Sequence, residues 1–223
     1  MFCRNQSDNR YHFDYFDTGY CAVKGGVGIK NLSYHLLLTG KIGCGKSTAL
    51  LSALEDVIEM AGGYRTVRLL DEDGTRRGFA HIPPALSEGV NGRWDPDRKD
   101  IFLIPGEGIK TEILLSRTIP MMEGKPRFFL LDEIGGKELL IPAFYHRLEQ
   151  LFSGEIPCIG VLKAPDGSEG IRRWMQQTNF RSAYNRFVGM LSENPRVQIT
   201  DGSEPGGYRQ QILQWKKENG VER

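Results

Sequence analysis

The chain has 223 residues, of which 39% are hydrophobic and 26% charged, the balance of a globular protein that can bury a sizeable core. Lysine and arginine number 29 against 28 aspartates and glutamates, so the formal net charge of +1 argues against a broadly basic nucleic-acid binder. Four cysteines are too few for a disulfide scaffold and favour a reducing compartment. No apolar run is long enough to cross a bilayer, and the polar residues 1–9 do not resemble a signal peptide. We therefore expect a cytoplasmic protein without a membrane partner.

The first 33 residues differ in pattern from the rest of the chain. They contain aromatic residues and glycines without a clear period, and only Tyr11–Tyr15 alternates as an edge strand does. We interpret residues 1–33 as an N-terminal extension that packs on the core or is partly mobile. Residues 34–223 form the predicted domain.

Strand and helix patterns alternate through this domain. The predicted strands are 35–39, 64–70, 75–82, 100–105, 128–133, 157–162 and 196–200. The predicted helices are 47–58, 111–119 (stopped by Pro120), 139–152, 171–175, 183–191 and 208–217. Asp73-Gly74 between two extended runs predicts a β-hairpin, and residues 83–98 predict a loop. This alternation indicates a parallel sheet with helices on both faces.

A glycine-rich segment between the first strand and the first helix carries the strongest chemical signal. Residues 40–47 match the pattern G-x-x-x-x-G-K-[ST] at every fixed position. Glycines allow backbone N–H groups to wrap closely around a polyphosphate, Lys46 reaches its β- and γ-phosphates, and the Ser47 hydroxyl can ligate Mg²⁺. The helix that starts near Ser47 also directs its positive N-terminal dipole at the anion. The predicted nucleotide-binding residues are Gly40, Lys41, Ile42, Gly43, Cys44, Gly45, Lys46, Ser47 and Thr48.

Two acids end the predicted strand 128–133. A triphosphate-bound Mg²⁺ is held partly by an aspartate at a strand end, so Asp132 is predicted to share the metal with Ser47. Glu133 is predicted to orient and deprotonate the attacking water as general base. Acids are also common at strand ends for solvation alone, and the phosphate loop in the same chain favours the functional interpretation. The predicted catalytic residues are Lys46 and Glu133.

These residues resemble a known family. The phosphate loop followed by Leu131-Asp132-Glu133-Ile134-Gly135 and Glu138-Leu139 is similar to the thermophile-type (cancer-related) nucleoside-triphosphatases. The resemblance implies a small P-loop enzyme that hydrolyses nucleoside triphosphates, ATP or GTP among them, with broad base tolerance. Family members typically read D-E-I-G-K-M-E-L, whereas this chain has Gly136-Lys137 in place of Lys-Met. The hairpin at Asp73-Gly74, with Arg77-Gly78-Phe79 behind it, resembles the family's insertion after the first helix.

The resemblance covers roughly residues 35–215 and leaves 1–34 and 85–110 unexplained. After the strand 157–162 the family usually carries a His-Arg-Arg-like basic cluster, whereas this chain reads Lys163-Ala164-Pro165, so Lys163 and the arginines of 172–186 are alternative sources of a catalytic cation. The predicted fold is α/β: a three-layer, parallel-sheet P-loop NTPase in RecA-like strand order, with a β-hairpin insertion after the first helix.

Three functions are compatible with the phosphate loop. Glu133 after Asp132 favours an Mg²⁺-dependent hydrolase, because water needs a base. A nucleotide or nucleoside kinase would share the loop and add an arginine-rich lid. The candidates for it, which also fit an exposed basic helix face, are Arg172, Arg173, Arg181 and Arg186. A nucleotide-binding switch is disfavoured because the chain lacks N-K-x-D and L-S-G-G-Q elements. Residues 200–205, after the last strand, are the candidate for contacts to the base, and they fit equally well a plain strand-to-helix turn capped by Asp201 or Ser203.

Overall fold

The computed structural model describes residues 34–202 and 207–222, so the predicted extension 1–33 lies outside the described residues. The strands, in chain order, are β1 (His35–Leu38), β2 (Ala61–Leu70), β3 (Arg76–Ile82), β4 (Asn91–Arg93), β5 (Ile101–Ile104), β6 (Gly108–Ile109), β7 (Phe128–Ile134), β8 (Cys158–Leu162) and β9 (Val197–Thr200). The α-helices are α1 (Lys46–Leu54), α2 (Thr111–Ile113), α3 (Ile119–Met121), α4 (Pro142–Ser153), α5 (Glu169–Met175), α6 (Thr178–Glu193) and α7 (Gly207–Glu218). None of these described helices has the length and apolarity needed to span a membrane.

Five parallel strands form the centre of the sheet, in the order β2-β7-β8-β1-β9. If these five strands are numbered 1 to 5 in chain order, the sheet order is 2-3-4-1-5, which is the predicted RecA-like order. Every β-strand in the series is followed by helical structure before the next parallel strand, which brings the carboxyl ends of all five to one edge of the sheet. The phosphate loop and the two predicted acids both lie at this edge.

Two apolar layers cover the sheet, as a three-layer fold requires. Residues 128–131 of β7 alternate between them: Phe128 and Leu130 pack with α1 and α7, whereas Phe129 and Leu131 pack with α4 and α6. β8 is buried along its entire length, which explains its continuous apolar sequence. The predicted α/β fold is therefore confirmed, with β7 and β8 as its fully covered core.

An antiparallel extension continues the sheet beyond β2. β2 and β3 form the predicted hairpin, and Asp71 closes its turn by donating its N–H to the carbonyl oxygen of Thr75 at 3.0 Å. Gly74 has a φ of 81°, the left-handed conformation that explains a glycine there. β5 and β6 add two more antiparallel strands. The predicted loop 83–98 was wrong at one place, because β4 within it pairs in parallel with β2.

Pro120 does not stop the helix that precedes it, contrary to the prediction. The chain passes from α2 through a π-helical turn at Leu114–Thr118 directly into α3, and Pro120 lies in the first turn of α3. A residue in the first turn of a helix needs no backbone N–H donor, so proline is tolerated there. The π-helical turn before it changes the hydrogen-bond pattern and lets a new first turn begin. Pro142 occupies the same kind of position at the start of α4.

His35 is a buried titratable group in the first strand. It is fully buried, and its Nδ1 accepts a hydrogen bond from the Cys158 N–H at 3.1 Å. Burial and the nearby Arg196 guanidinium lower the pKa of His35 from 6.5 to about 4. The unfolded chain therefore takes up a proton here before the folded protein does as the pH falls.

We expect wild type to lose ~3 kcal/mol of unfolding free energy through His35 between pH 7 and pH 4, because the stabilisation present above pH 6.5 disappears as the pH approaches 4. His35→Asn keeps an acceptor near the Nδ1 position and removes the titrating group. The variant should therefore lose less unfolding free energy than wild type between pH 7 and pH 4. Urea unfolding at several pH values measures the difference. His146→Asn, at an exposed histidine, is the control and should follow wild type. If the unfolding free energy of His35→Asn falls with pH as steeply as that of wild type, the loss of stability does not come from His35.

Candidate active site

The loop between β1 and α1 depends on glycine at three positions. Gly40, Gly43 and Gly45 have φ values of 127°, 78° and 87°. Side-chain-bearing residues rarely adopt this region. A Cβ at Gly40 would also lie 2.7 Å from the Tyr208 hydroxyl oxygen, whereas a Cβ at Gly43 or Gly45 would meet open space. Backbone conformation alone therefore requires the latter two glycines, and close packing adds a second requirement at Gly40.

The Lys46 ammonium is held by the loop itself. Its Nζ donates to the carbonyl oxygens of Gly40 at 3.0 Å and Lys41 at 2.7 Å, and it lies 3.4 Å from the Cys44 Sγ. Lys46 is 7% exposed, so the backbone positions this cation before any ligand arrives. Burial opposes ionisation of the Cys44 thiol, but hydrogen bonds from Tyr208 and Lys46 and the charge of Lys46 lower its pKa overall.

Tyr208 of α7 anchors the loop from a distant part of the chain. Its hydroxyl oxygen lies 2.7 Å from the carbonyl oxygens of both Thr39 and Asp201, which share its single proton as acceptors. On the other side, the Ile42 N–H donates to the carbonyl oxygen of Gly167 at 3.2 Å. Nothing in the sequence pattern indicated Tyr208. Its role depends on the folding of α7 against β1, which a local motif cannot show.

Ser47 and Asp132 meet although 85 residues separate them. The Ser47 Oγ donates to the Asp132 Oδ1 at 2.8 Å. Asp132 is 3% exposed, and burial, together with the neighbouring Glu133 carboxylate, raises its pKa to about 6, against the lowering effect of the Ser47 hydrogen bond. A hydroxyl and a carboxylate are the hard oxygen ligands that Mg²⁺ prefers, so the donor set fits this ion.

Lys163 forms an ion pair with Glu133. Lys163 follows β8, the strand next to β7, and its Nζ lies 2.9 Å from the Glu133 Oε2. Burial alone would lower the pKa of Lys163, but the carboxylates of Glu133 and Glu138 raise it overall. The backbone of Lys163 is fixed as well, since its N–H donates to the Ile134 carbonyl oxygen and its carbonyl accepts from the Tyr184 hydroxyl at 2.6 Å. The structure thus places Lys163, one of the alternative sources of a cation, beside Glu133.

Two hydrogen bonds fix the end of β7 and the turn after it. The Glu133 N–H donates to the Thr66 Oγ1 at 3.0 Å, and the Gly136 N–H donates to the Glu138 Oε1 at 2.6 Å. A Cβ at Gly136 would lie 2.5 Å from the Glu138 Oε2. Glu138, part of the motif that suggested the family, therefore shapes this turn.

One cavity of about 690 Å³ joins the predicted site residues. Those that line it are Gly40, Ile42, Gly43, Gly45, Lys46, Ser47, Thr48, Asp132 and Glu133. Lys41 and Cys44 are not among its lining residues, although both contact Lys46. Lys163 lines the same cavity.

The four arginines considered for a lid are not brought together. Arg173 lines the cavity and pairs with Glu169 at 2.9 Å, but Arg172 and Arg181 do not line it. Arg186 lies over the ring of Tyr145, 4.4 Å from its centroid. The segment 200–205, predicted to contact the base, is described only as far as Gly202.

Together, the strand order, the glycine loop between β1 and α1, and the acids at the end of β7 define a P-loop nucleoside-triphosphate-binding fold. The sequence model of the NTPase family matches residues 35–186. The chain belongs to this family of nucleoside-triphosphate phosphohydrolases, as the resemblance predicted.

Relatives agree with this assignment, and a solved structure shares the fold. The nucleoside-triphosphatase THEP1 of Thermotoga sp. (strain RQ2) is 30% identical over 131 residues, which cover 57% of this chain and 73% of that protein. THEP1 of Thermotoga petrophila is also 30% identical over 131 residues, with 57% and 71% covered. The solution structure of a human cancer-related nucleoside triphosphatase has a similar fold, with a TM-score of 0.51, 19% identity, and 81% of this chain and 94% of that chain covered.

Proposed function

We propose that this protein hydrolyses nucleoside triphosphates, ATP and GTP among them, to the diphosphate and phosphate in an Mg²⁺-dependent reaction in which Glu133 activates water. The observation that carries this proposal is that Lys46, Ser47, Asp132 and Glu133 line a single cavity. Phosphoryl transfer depends mainly on positioning and electrostatic stabilisation, and these four side chains supply a cation, two metal ligands and a base.

Lys46 and the metal ligands act on the triphosphate. Lys46 exchanges its carbonyl partners on Gly40 and Lys41 for β- and γ-phosphate oxygens, while loop N–H groups surround them. Ser47 and Asp132 hold Mg²⁺, which neutralises charge on the phosphate oxygens when bound. The existing hydrogen bond between Ser47 and Asp132 supports this assignment, because it already brings two suitable oxygen ligands together.

Glu133 acts on the water. Its carboxylate accepts a proton from the water that attacks the γ-phosphorus. Lys163, whose Nζ lies 2.9 Å from the Glu133 Oε2, holds this carboxylate in a fixed position. The same ammonium lies at the carboxyl edge of the sheet, where it can offset negative charge on the γ-phosphate. The chain thereby supplies a second cation without the basic cluster typical of the family.

Phosphate release from ATP, GTP, CTP and UTP, measured with and without Mg²⁺, tests the proposal. We expect release from several of the four with Mg²⁺ present and almost none after EDTA is added. Nucleotide binding without phosphate release would contradict a hydrolytic function, and metal-independent release would contradict the assigned role of Mg²⁺.

Asp132→Asn should raise the Mg²⁺ concentration needed for half-maximal activity by at least about tenfold, because it removes a charged ligand. A magnesium titration of phosphate release at fixed ATP measures the shift. Asp166→Asn, at a nearby exposed acid that does not line the cavity, is the matched control and should titrate as wild type does. An unchanged titration in Asp132→Asn would contradict the metal-ligand role.

A further inference from the structure

The cavity extends beyond the predicted triphosphate site onto the antiparallel extension. Arg68, Phe79 and Leu103 are register partners on the adjacent strands β2, β3 and β5, and all three line the cavity. Partners opposite one another in a sheet project to the same face, so they form a continuous floor. Arg76, Phe102 and Trp174 also line this part. We call these six residues the acceptor compartment.

The arginines of this extension that are not buried fall into two groups. Those directed away from the cavity have acidic partners: Arg77 pairs with Asp71, Arg93 with Glu72, and Arg98 with Glu88 and Asp100. Arg68 and Arg76 face the cavity and form no ion pair within the described part of the chain.

The two arginines are exposed and available to a ligand. Arg76 lies over the Phe79 ring, 5.2 Å from its centroid, and Arg68 makes no side-chain hydrogen bond with a described residue. A guanidinium group binds phosphate through two parallel hydrogen bonds, which an ammonium cannot do. The floor of the compartment therefore offers two phosphate-binding groups.

Apolar and aromatic surfaces complete the compartment. Phe79, Leu103 and Trp174 are half-buried, so part of each remains accessible from the cavity. Aromatic faces bind flat rings by stacking, as they bind nucleobases. A ligand with both a phosphate and a flat ring matches this combination better than a sugar or a peptide does.

Thr66 connects the compartment with the reaction site. It lies two residues before Arg68 on the same face of β2, and its Oγ1 accepts the Glu133 N–H at 3.0 Å. A phosphate bound by Arg68 is therefore next to the place where Glu133 and Lys163 face the γ-phosphate.

We propose that the acceptor compartment binds a nucleoside monophosphate, which receives the γ-phosphoryl group of the bound triphosphate. This inference rests on the proposed function, because the donor occupies the same triphosphate site. An oxygen of the acceptor phosphate forms a bond to Pγ, and the bond from Pγ to the β,γ-bridging oxygen breaks. The electron pair of that bond leaves on the donor diphosphate, and two nucleoside diphosphates result.

The acceptor reaction and hydrolysis differ in their need for a base. Water must lose a proton as it attacks, whereas a phosphate oxygen is already ionised at neutral pH. Glu133→Gln should therefore reduce phosphate release by at least ~100-fold. Transfer to a nucleoside monophosphate in the same variant should fall by less than ~10-fold, far short of that general-base range.

The experiment has two readouts. Calorimetric titration of AMP, GMP, CMP and UMP into protein loaded with Mg²⁺ and a non-hydrolysable ATP analogue measures binding. Reactions with γ-labelled ATP and each monophosphate, separated by chromatography, measure label in the new diphosphate and label in free phosphate.

We expect at least one monophosphate to bind and to become labelled. Arg68→Gln and Arg76→Gln should each weaken this binding by at least about tenfold, the effect of losing a charge-assisted hydrogen bond. Arg77→Gln is the matched control, since Arg77 is on the same strand as Arg76 but pairs with Asp71 outside the cavity. It should bind the monophosphate as wild type does.

Other results would overturn the inference. Phosphate release without monophosphate binding would refute the binding role of the acceptor compartment and leave the proposed hydrolysis intact. Monophosphate binding without formation of labelled diphosphate would refute the acceptor role. Equal weakening of monophosphate binding in Arg76→Gln and Arg77→Gln would refute the assigned binding site. If the wild-type protein releases no phosphate when no acceptor is added, the proposed hydrolysis is instead refuted.

Discussion

Lys46→Ala is expected to lower phosphate release by at least ~100-fold, since it removes a fixed cation from the β- and γ-phosphates of the reacting nucleotide. It should also weaken triphosphate binding. The structure explains the size of the effect: the Lys46 Nζ is positioned in advance by the carbonyl oxygens of Gly40 and Lys41. A mobile lysine elsewhere in the chain cannot replace it at the same position.

Phosphate release and fluorescent-nucleotide titration on the same preparation measure the two effects. The variant should keep its far-UV circular dichroism spectrum, because Lys46 belongs to neither of the two main apolar layers. Lys137→Ala is a suitable control, since Lys137 lies over the Trp174 ring and does not line the cavity. A folded Lys46→Ala protein with near wild-type turnover would refute the phosphate-loop assignment.

The phosphate loop was predictable because its requirements are local. Glycine at positions 40, 43 and 45 follows from backbone conformations that only a few neighbouring residues determine. The alternation of Phe128–Leu131 between two apolar layers likewise follows from the period of a single strand. For the same reason the turn at Asp73-Gly74 was predicted from sequence.

The partners of the site residues could not be predicted in this way. Lys163 meets Glu133 only because β8 lies next to β7, and Tyr208 reaches the loop only because α7 packs against β1 and α1. Such contacts depend on strand order and register across long stretches of chain. The helix through Pro120 failed as a prediction for a related reason, since the π-helical turn before it has no clear sequence signal.

Glu133→Gln should separate chemistry from binding. The substitution keeps the size of the side chain but removes the group that accepts a proton from water. General-base contributions are typically ~10²–10⁴ in rate, or roughly 3–5 kcal/mol of barrier, and we expect kcat for phosphate release to fall by this factor.

Triphosphate affinity should hold or increase in the same variant. Glu133 carries a negative charge near the γ-phosphate, and its loss reduces repulsion. It also leaves the Lys163 ammonium without the carboxylate that lies 2.9 Å away in the wild-type protein, so this cation becomes available to the nucleotide. We therefore expect a protein that binds and retains the triphosphate without hydrolysing it.

Glu169→Gln provides the matched control for these measurements. Glu169 lines the same cavity, but its exposed carboxylate pairs with Arg173 on α5. Glu169→Gln removes the same negative charge as Glu133→Gln. A general electrostatic effect on kcat would therefore appear in both variants, whereas the effect of losing the base would appear only in Glu133→Gln. If kcat of Glu133→Gln stays within about threefold of wild type, far short of the general-base range, the water-activation mechanism is wrong. Transfer to an acceptor phosphate, which needs no base, then becomes the main reaction to examine at this site.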